Sequence, residues 1–286
     1  MKVRKITRLI SFFVLGSALA IFSGSYYLYS SVNQAAENSQ RPGEKEFLDF
    51  LKRKKELPHK PGEALLVAAG QAVYSWDSAK NNFEKIPGAA ADSETAKSKA
   101  GAPKKERADL DNDLIKEEYV LEAGRLVIAE NAKIIWRSPA DWWIDDFVLA
   151  DANHDGVLDM NLSVWKAGNF GSSKPFWLKE NDMSVKNHFF VFDLVDGAVQ
   201  PIWQSSNLSA PNREFFFADI RGDGKNDLIV IEGDYSGVPG RRENYLAVWR
   251  WNGWGFTNEW RSEKGNFFNL RVEKNNEKNY IIVDFF

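Results

Sequence analysis

Cysteine is absent from this chain. That single absence removes disulfide staples, thiol nucleophiles and zinc–thiolate centres, and it excludes anchoring through a lipidated N-terminal cysteine. Familiar catalytic motifs are missing too: there is no Gly-x-Ser-x-Gly elbow, no His-Glu-x-x-His pair and no phosphate-cradling glycine loop. An excess of basic charge is also lacking. The formal net charge is −3 at pH 7, so no nucleic-acid partner is expected. What the chain does have is apolar and aromatic material. Its 286 residues are 44% hydrophobic and include 11 tryptophans, enough to fill the core of one large domain or two small ones.

The longest uncharged apolar run lies at the N-terminus. Lys2, Arg4, Lys5 and Arg8 precede residues 9–32, whose length suits the roughly 20 residues of a membrane-crossing helix. The basic flank predicts a cytoplasmic stub (1–8), a transmembrane signal-anchor (9–32) and a body on the extracytoplasmic side, periplasmic or at the cell surface. The competing reading is a cleaved signal peptide ending at Ala18, Leu19 and Ala20, with the body secreted. Apolar character that continues past Ala20 favours the anchor. Residues 33–61 read as linker with one short amphipathic helix, where Phe47, Leu48, Phe50 and Leu51 alternate with charges until Pro58 stops it. The basic residues 52–55 suit anionic headgroups, but a solvated helix face packed on the domain is the preferred reading.

Beyond this the most informative stretch is 151–159, Asp-Ala-Asn-His-Asp-Gly-Val-Leu-Asp. Oxygen side chains fall at positions 1, 3, 5 and 9 and glycine at position 6, the layout a hard cation such as calcium needs. Both flanks, 143–149 and 160–165, alternate like strands rather than like the helices of an EF-hand. Residues 219–227 repeat the pattern with Asp219, Asp223, Gly224 and Asp227, but Arg221 stands at a ligand position, and a guanidinium cannot coordinate a cation. Salt bridges from Arg221 to the neighbouring aspartates are expected there instead. Residues 109–117 keep the oxygens with Leu114 where glycine belongs, and 269–273 keep only an outline.

Between these loops lie apolar hairpins marked by Trp76, Trp136, Trp203 and Trp260, recurring at a period of roughly sixty to seventy residues. Asp196-Gly197 and Asn252-Gly253 are tight-turn signals, and Trp136, Trp203 and Trp260 are each followed two residues later by serine. A period of this size with four short strands per unit predicts an all-β fold, a small β-propeller of about four to five blades over residues 62–286. The chain enters on a late hairpin (65–76) and leaves on early strands (267–284), so the two ends are expected to share and close one blade. Residues 80–125 leave room for a degenerate fifth blade, although 88–107 read as a flexible excursion.

Residues 151–159 and 219–227, each set between a hydrophobic and an aliphatic strand, resemble FG-GAP/VCBS-type propeller repeats. The resemblance covers roughly residues 62–286 and is firmest for these two units. It implies structural calcium on the side chains of Asp151, Asn153, Asp155 and Asp159 and the carbonyl of Val157. For the loop at 219 no ion is expected.

Binding residues are sought in the long connection of the best-formed repeat. Residues 165–188 combine Trp165 and Trp177 with Lys166, Asn169, Lys174, Asn181, Asp182 and His188. Aromatic faces beside amides and carboxylates suit a sugar ring or a protein surface, whereas the structural alternative is that they cover the fold and tie the loop down. The equivalent loop of the next repeat offers Arg241 and Arg242 for an anionic group. The chain thus reads as a membrane-anchored extracytoplasmic binding or scaffold protein for a protein or cell-surface glycan. Two alternatives stay open: a calcium-dependent enzyme on polysaccharide or phosphoester substrates, with Glu180, Asp182 or Glu232 as acid or base, and a subunit of an envelope assembly.

Overall fold

Short apolar strands joined by tight turns pair most readily with their sequence neighbours, and that is how this chain is assembled. The computed structural model describes residues 43–56, 70–87, 103–169, 179–236, 244–275 and 278–285. They form four four-stranded antiparallel sheets, a propeller-like arrangement. The first sheet runs β3 (Lys104–Ala108), β4 (Glu117–Glu122), β5 (Arg125–Glu130) and β6 (Lys133–Arg137). The second runs β7 (Trp143–Ala150), β8 (Asp159–Ala167), β9 (Val185–Val195) and β10 (Ala198–Gln204). The third runs β11 (Asn212–Ala218), β12 (Asp227–Glu232), β13 (Tyr245–Trp251) and β14 (Phe256–Arg261). The fourth joins β15 (Phe267–Asn275) and β16 (Lys278–Phe285) to β1 (Gly70–Asp77) and β2 (Asn82–Lys85). Here the two ends of the domain meet as expected: β1 pairs with β16, from Gly70 against Phe285 to Tyr74 against Ile281.

Three core clusters fill the three junctions between consecutive sheets. The second and third sheets are therefore apolar on both faces. In β9, Phe190, Phe192 and Leu194 pack toward the first sheet, while Phe189 and Val191 pack toward the third. In β12, Ile229 and Ile231 face the fourth sheet, while Leu228 and Val230 face the second. This double burial is why both strands are continuous apolar runs, whereas β4 and β5 of the first sheet alternate. Each such side chain taken from water stabilises the fold by roughly 1.5–3 kcal/mol before the entropy cost.

Hydrogen bonds fix the register of these sheets. Trp136, Trp203 and Trp260 stand on the fourth strands, opposite Ile128, Val191 and Val248. The serine two residues on closes each outer pair. Ser138, Ser205 and Ser262 donate their backbone N–H to Leu126, Phe189 and Leu246, whose own N–H groups go to the serine hydroxyls. Consecutive sheets are then strapped at the start of each third strand. Gly124 O accepts from Ile144 N, and the Arg125 guanidinium reaches the carbonyls of Pro139, Ala140 and Trp142. Gly124 is required at that approach, because a Cβ there would lie 2.4 Å from the Trp143 ring and φ is +74°. Buried Asn187 accepts from Asn212 N at 2.9 Å and donates to Ser163 Oγ at 3.0 Å. Asn244 exchanges two bonds with the backbone of Phe267.

Several sequence expectations are corrected. Trp76 lies on β1, the third strand of its sheet, and Phe83 on β2 holds the place opposite it. Residues 269–273 are not a loop but part of β15, which pairs with β16 from Arg271 against Ile282 to Asn275 against Lys278. Strand β3 starts at Lys104, inside the stretch read as flexible, where it pairs with β4 through an alternating charged edge. The described residues within 80–125 belong to the fourth and first sheets, which leaves them no fifth. The short helix is present as α1 (Glu44–Glu56), and Phe47 and Phe50 bury its apolar side on the second sheet. The apolar run 9–32 lies outside the described residues, among which no helix is long and apolar enough to cross a membrane.

The Asn187 strap generates a prediction. Asn187→Ala leaves the Asn212 N–H and the Ser163 hydroxyl without this partner, at a cost of roughly 2 kcal/mol. Urea denaturation should show a lower midpoint with an unchanged slope.

Candidate functional site

The first connection of three sheets is one loop built three times. In 109–117, 151–159 and 219–227 the position-2 side chain, Leu110, Ala152 or Ile220, is buried and pins the loop to the core. Positions 4 and 6 take positive φ in every copy: Asn112 and Leu114, His154 and Gly156, Gly222 and Gly224. The carboxylate at position 1 gathers the backbone N–H groups this bend exposes. Asp109 accepts from Asp113 and Leu114, Asp151 from His154 and Gly156, and Asp219 from Gly222, Asp223 and Gly224. At position 5, Asp113, Asp155 and Asp223 each accept from the N–H two residues on. The loops are also tied to the next sheet. Asn226 donates to Asp151 O at 3.0 Å, His154 Nε2 lies 2.7 Å from Asn226 O, and Asn279 donates to Asp219 O at 2.6 Å.

The copies differ in what faces the buried position-9 carboxylate. In the first loop Glu117 is fully buried; its Oε2 accepts from Leu110 N and Tyr119 Oη, each at 3.0 Å, and its Oε1 has no partner. Burial holds this carboxyl above its ordinary value, and Asp111 and Asp109 push the same way against the lowering by the Leu110 N–H and the Tyr119 hydroxyl. Asp109, Asp111, Asp113 and Glu117 each bring one oxygen into a group lying within 4.8 Å of one another. Oxygens around one calcium ion, each at about 2.4 Å from it, span up to about 5 Å. The four carboxylates and the orphaned oxygen therefore fit a divalent cation.

In the second loop Asp159 is buried and raised to about 7 by burial, and its Oδ2 accepts from Ala152 N and Asn153 N. Asp155 is held by the Asn153 amide and the Val157 N–H. Among the described residues, the acidic side chains that converge as a group are those of the first loop, the copy that lacks glycine. In the third loop guanidinium groups stand where a cation would be. Arg221 Nε lies 3.3 Å from Asp227 Oδ2, and Arg221 sits over the Trp76 ring. Arg250, from β13, pairs with Asp223 and reaches Asp227 Oδ1 at 3.7 Å. Burial still lifts Asp227 to about 6, outweighing both guanidinium groups. The partnership of Arg221 follows from its position in the loop; that of Arg250 carries no signal in the linear sequence.

The residues sought in 165–188 are divided among other tasks. Trp165, Lys166 and His188 are strand residues, because β8 runs to Ala167 and β9 starts at Val185. Trp165 donates its indole N–H to Asp145 Oδ2 at 2.5 Å, and Trp143 donates to the other oxygen of the same carboxylate. One face of Trp165 is stacked on Phe50 of α1 at 5.1 Å, and Tyr235 meets it edge-on. Lys166 caps the carbonyls of Ala167 and Gly168, and burial depresses its pKa. Asn169 accepts from Asn207 N and receives Asn181 Oδ1 on its own N–H, while Asp182 accepts from Ser184 N and the Asn207 amide. These groups knot the connection to itself. Lys174, Trp177, Arg241 and Arg242 lie outside the described residues.

His188 is fully buried with Nδ1 3.1 Å from Ser205 O, and Nε2 has no partner. Burial first, and then Lys166, hold its imidazole down at about 4. Glu232, weighed as an acid or base, is buried between Trp249 Nε1 and the Arg261 guanidinium. Comparison with protein-family models and with curated proteins finds no match for this chain.

Two predictions follow from these geometries. Leu114 holds φ +74°, a conformation that costs a side-chain-bearing residue about 1 kcal/mol. Leu114→Gly should therefore raise the chemical-denaturation midpoint even though it deletes an apolar side chain. For His188 the folded pKa lies below the unfolded one, so its contribution to stability is complete above pH 6.5 and falls as pH drops toward 4. The full loss is about 3 kcal/mol. His188→Gln should remove this loss, so that between pH 6.5 and 4 stability changes more favourably on acidification than in wild type, and an unchanged slope would contradict the assignment.

Proposed function

We propose that this protein is a membrane-anchored, extracytoplasmic binding module, a small propeller whose first-sheet loop holds calcium as a structural clip. The observation that carries the reading is the convergence of one oxygen each from Asp109, Asp111, Asp113 and Glu117, in a group where Glu117 Oε1 and Asp111 Oδ1 are buried without a hydrogen-bond partner. A divalent cation would give that buried oxygen a partner and offset half the charge of the four carboxylates; oxygen-only ligands favour calcium over softer ions. The likeness of 151–159 and 219–227 to FG-GAP/VCBS repeats implies calcium at 151–159, and 109–117 shares the loop spacing that carries that expectation; the apolar residues 9–32 behind a basic stub support the anchor.

The loop ion stabilises and orients in this reading; it does not perform a reaction. Asp151 and Asp219 use their carboxylates to close their own turns, and Glu232 is occupied by Trp249 and Arg261. Of the two partner classes, protein is favoured over glycan, because the Trp165 face best suited to stack on a sugar is covered by Phe50.

Calorimetric titration tests the ion directly. Calcium is expected to bind wild-type protein and raise its melting temperature. Glu117→Gln should weaken binding at least about tenfold, the effect of removing one charged ligand. Asp155→Ala reports on the second loop separately. Equal calcium binding by wild type and Glu117→Gln would refute the first-loop site.

A further inference from the structure

In every four-stranded meander the strand 1–2 and strand 3–4 connections lie at the same end. The three acidic loops and the outer turns at 131–132, 196–197 and 252–255 therefore share one face of the molecule. That face holds nearly all the exposed large apolar side chains of the described residues: Leu114, Ile115, Ile134, Leu158, Val195 and Trp254, with Phe216 on β11 the exception. The opposite face has none among the described residues.

They concentrate where the first and second sheets meet. Leu114 is 92% exposed, beside Ile115 at 37%; the β9–β10 turn presents Val195 at 46%, and the next loop presents Leu158 at 40%. A hydrogen bond from Gly197 N to Asp111 Oδ2 at 3.2 Å holds that turn against the first loop, which puts Val195 and Leu114 on one surface. The surrounding charge is predominantly negative. Asp109, Asp111, Asp113, Asp155 and Asp196 stand in these loops and turns and outnumber the cations beside them, Arg107, Lys116 and Lys133. A divalent ion in the first loop would offset only half of its four carboxylates. Apolar side chains ringed by carboxylates complement a segment whose own apolar side chains alternate with lysine or arginine, and they repel an anionic bilayer.

We propose that the loop face of the first two sheets is a docking surface for a cationic, amphipathic protein segment, with Leu114 and Ile115 as its apolar anchors. This rests on the binding-module reading and names its surface and partner chemistry. The anchor pair stands on the cation loop, so the same backbone that gathers the carboxylates presents the leucine outward at φ +74°. Apolar anchors at the centre of a charged rim carry most of the energy in such contacts.

The test uses a fluorescein-labelled synthetic peptide of alternating leucine and lysine pairs and its leucine–glutamate counterpart, followed by fluorescence anisotropy against the full chain in detergent. The leucine–lysine peptide is expected to bind and the leucine–glutamate peptide not to. The double variant Leu114→Gly, Ile115→Ser should weaken binding about tenfold or more. Misfolding does not imitate that loss, because Leu114→Gly relieves a strained φ and the melting temperature reports on the fold independently. Equal affinity of the two peptides, or undiminished binding by the double variant, overturns the proposal. So does binding of the chain lacking residues 1–32 to phosphatidylglycerol vesicles with the double variant impaired. Loss of calcium binding in Glu117→Gln with peptide binding retained leaves the docking face standing, so failure of the ion site is told apart from failure of the surface.

Discussion

The pairing of β16 with β1 is the constraint on which the rest of the structure depends. Without it the fourth sheet has two strands at one end of the chain and two at the other, and neither half buries its apolar face. With it, Ala72, Tyr74, Ile281 and Val283 form one surface against Ile229, Ile231, Leu246 and Val248 of the third sheet. Closing a loop of this length costs only slowly more than closing a shorter one, so a handful of buried strand pairs suffices to hold it. The sheets between can then be apolar on both faces.

The fold was legible where burial leaves a pattern. Continuous apolar strands in the middle sheets, alternation in the first, Asp-Gly and Asn-Gly turns and the Trp-x-Ser signature all map onto elements that are present. The serine shows why the signature exists: its hydroxyl and N–H complete the outermost strand pair, and the tryptophan two residues earlier covers the core behind it. What misled was the phase of the repeat. Trp76 matches the other tryptophans in spacing yet lies one strand earlier, because Phe83 takes the equivalent place.

The site was legible only in part. The spacing of oxygen side chains located all three loops, but glycine at position 6 proved a poor guide to which loop gathers charge. Leu114 adopts the same positive φ that Gly156 and Gly224 adopt, because Asp109 rewards the bend with two hydrogen bonds. Arg250 is distant in sequence, and only the β13 register carries it to Asp223. The long connection after β8 looked like a binding loop because amides and carboxylates are plentiful there. The same groups are what a knotted surface connection needs for its own backbone, and sequence composition does not distinguish the two uses.

The third loop carries its countercharge on its own covalent chain. Two arginine side chains travel with the polypeptide wherever it goes and stand against the carboxylates of Asp223 and Asp227 without any bound ion. Among the described residues no guanidinium pairs with the gathered carboxylates of the first loop, a group that could hold a metal ion. One molecule thus has one loop paired with its own arginines and one loop of gathered carboxylates, joined through a row of sheets that share their cores. An ion held by that group would act on one side of the row alone, an asymmetry that neither the near-neutral charge nor the repeating architecture would suggest.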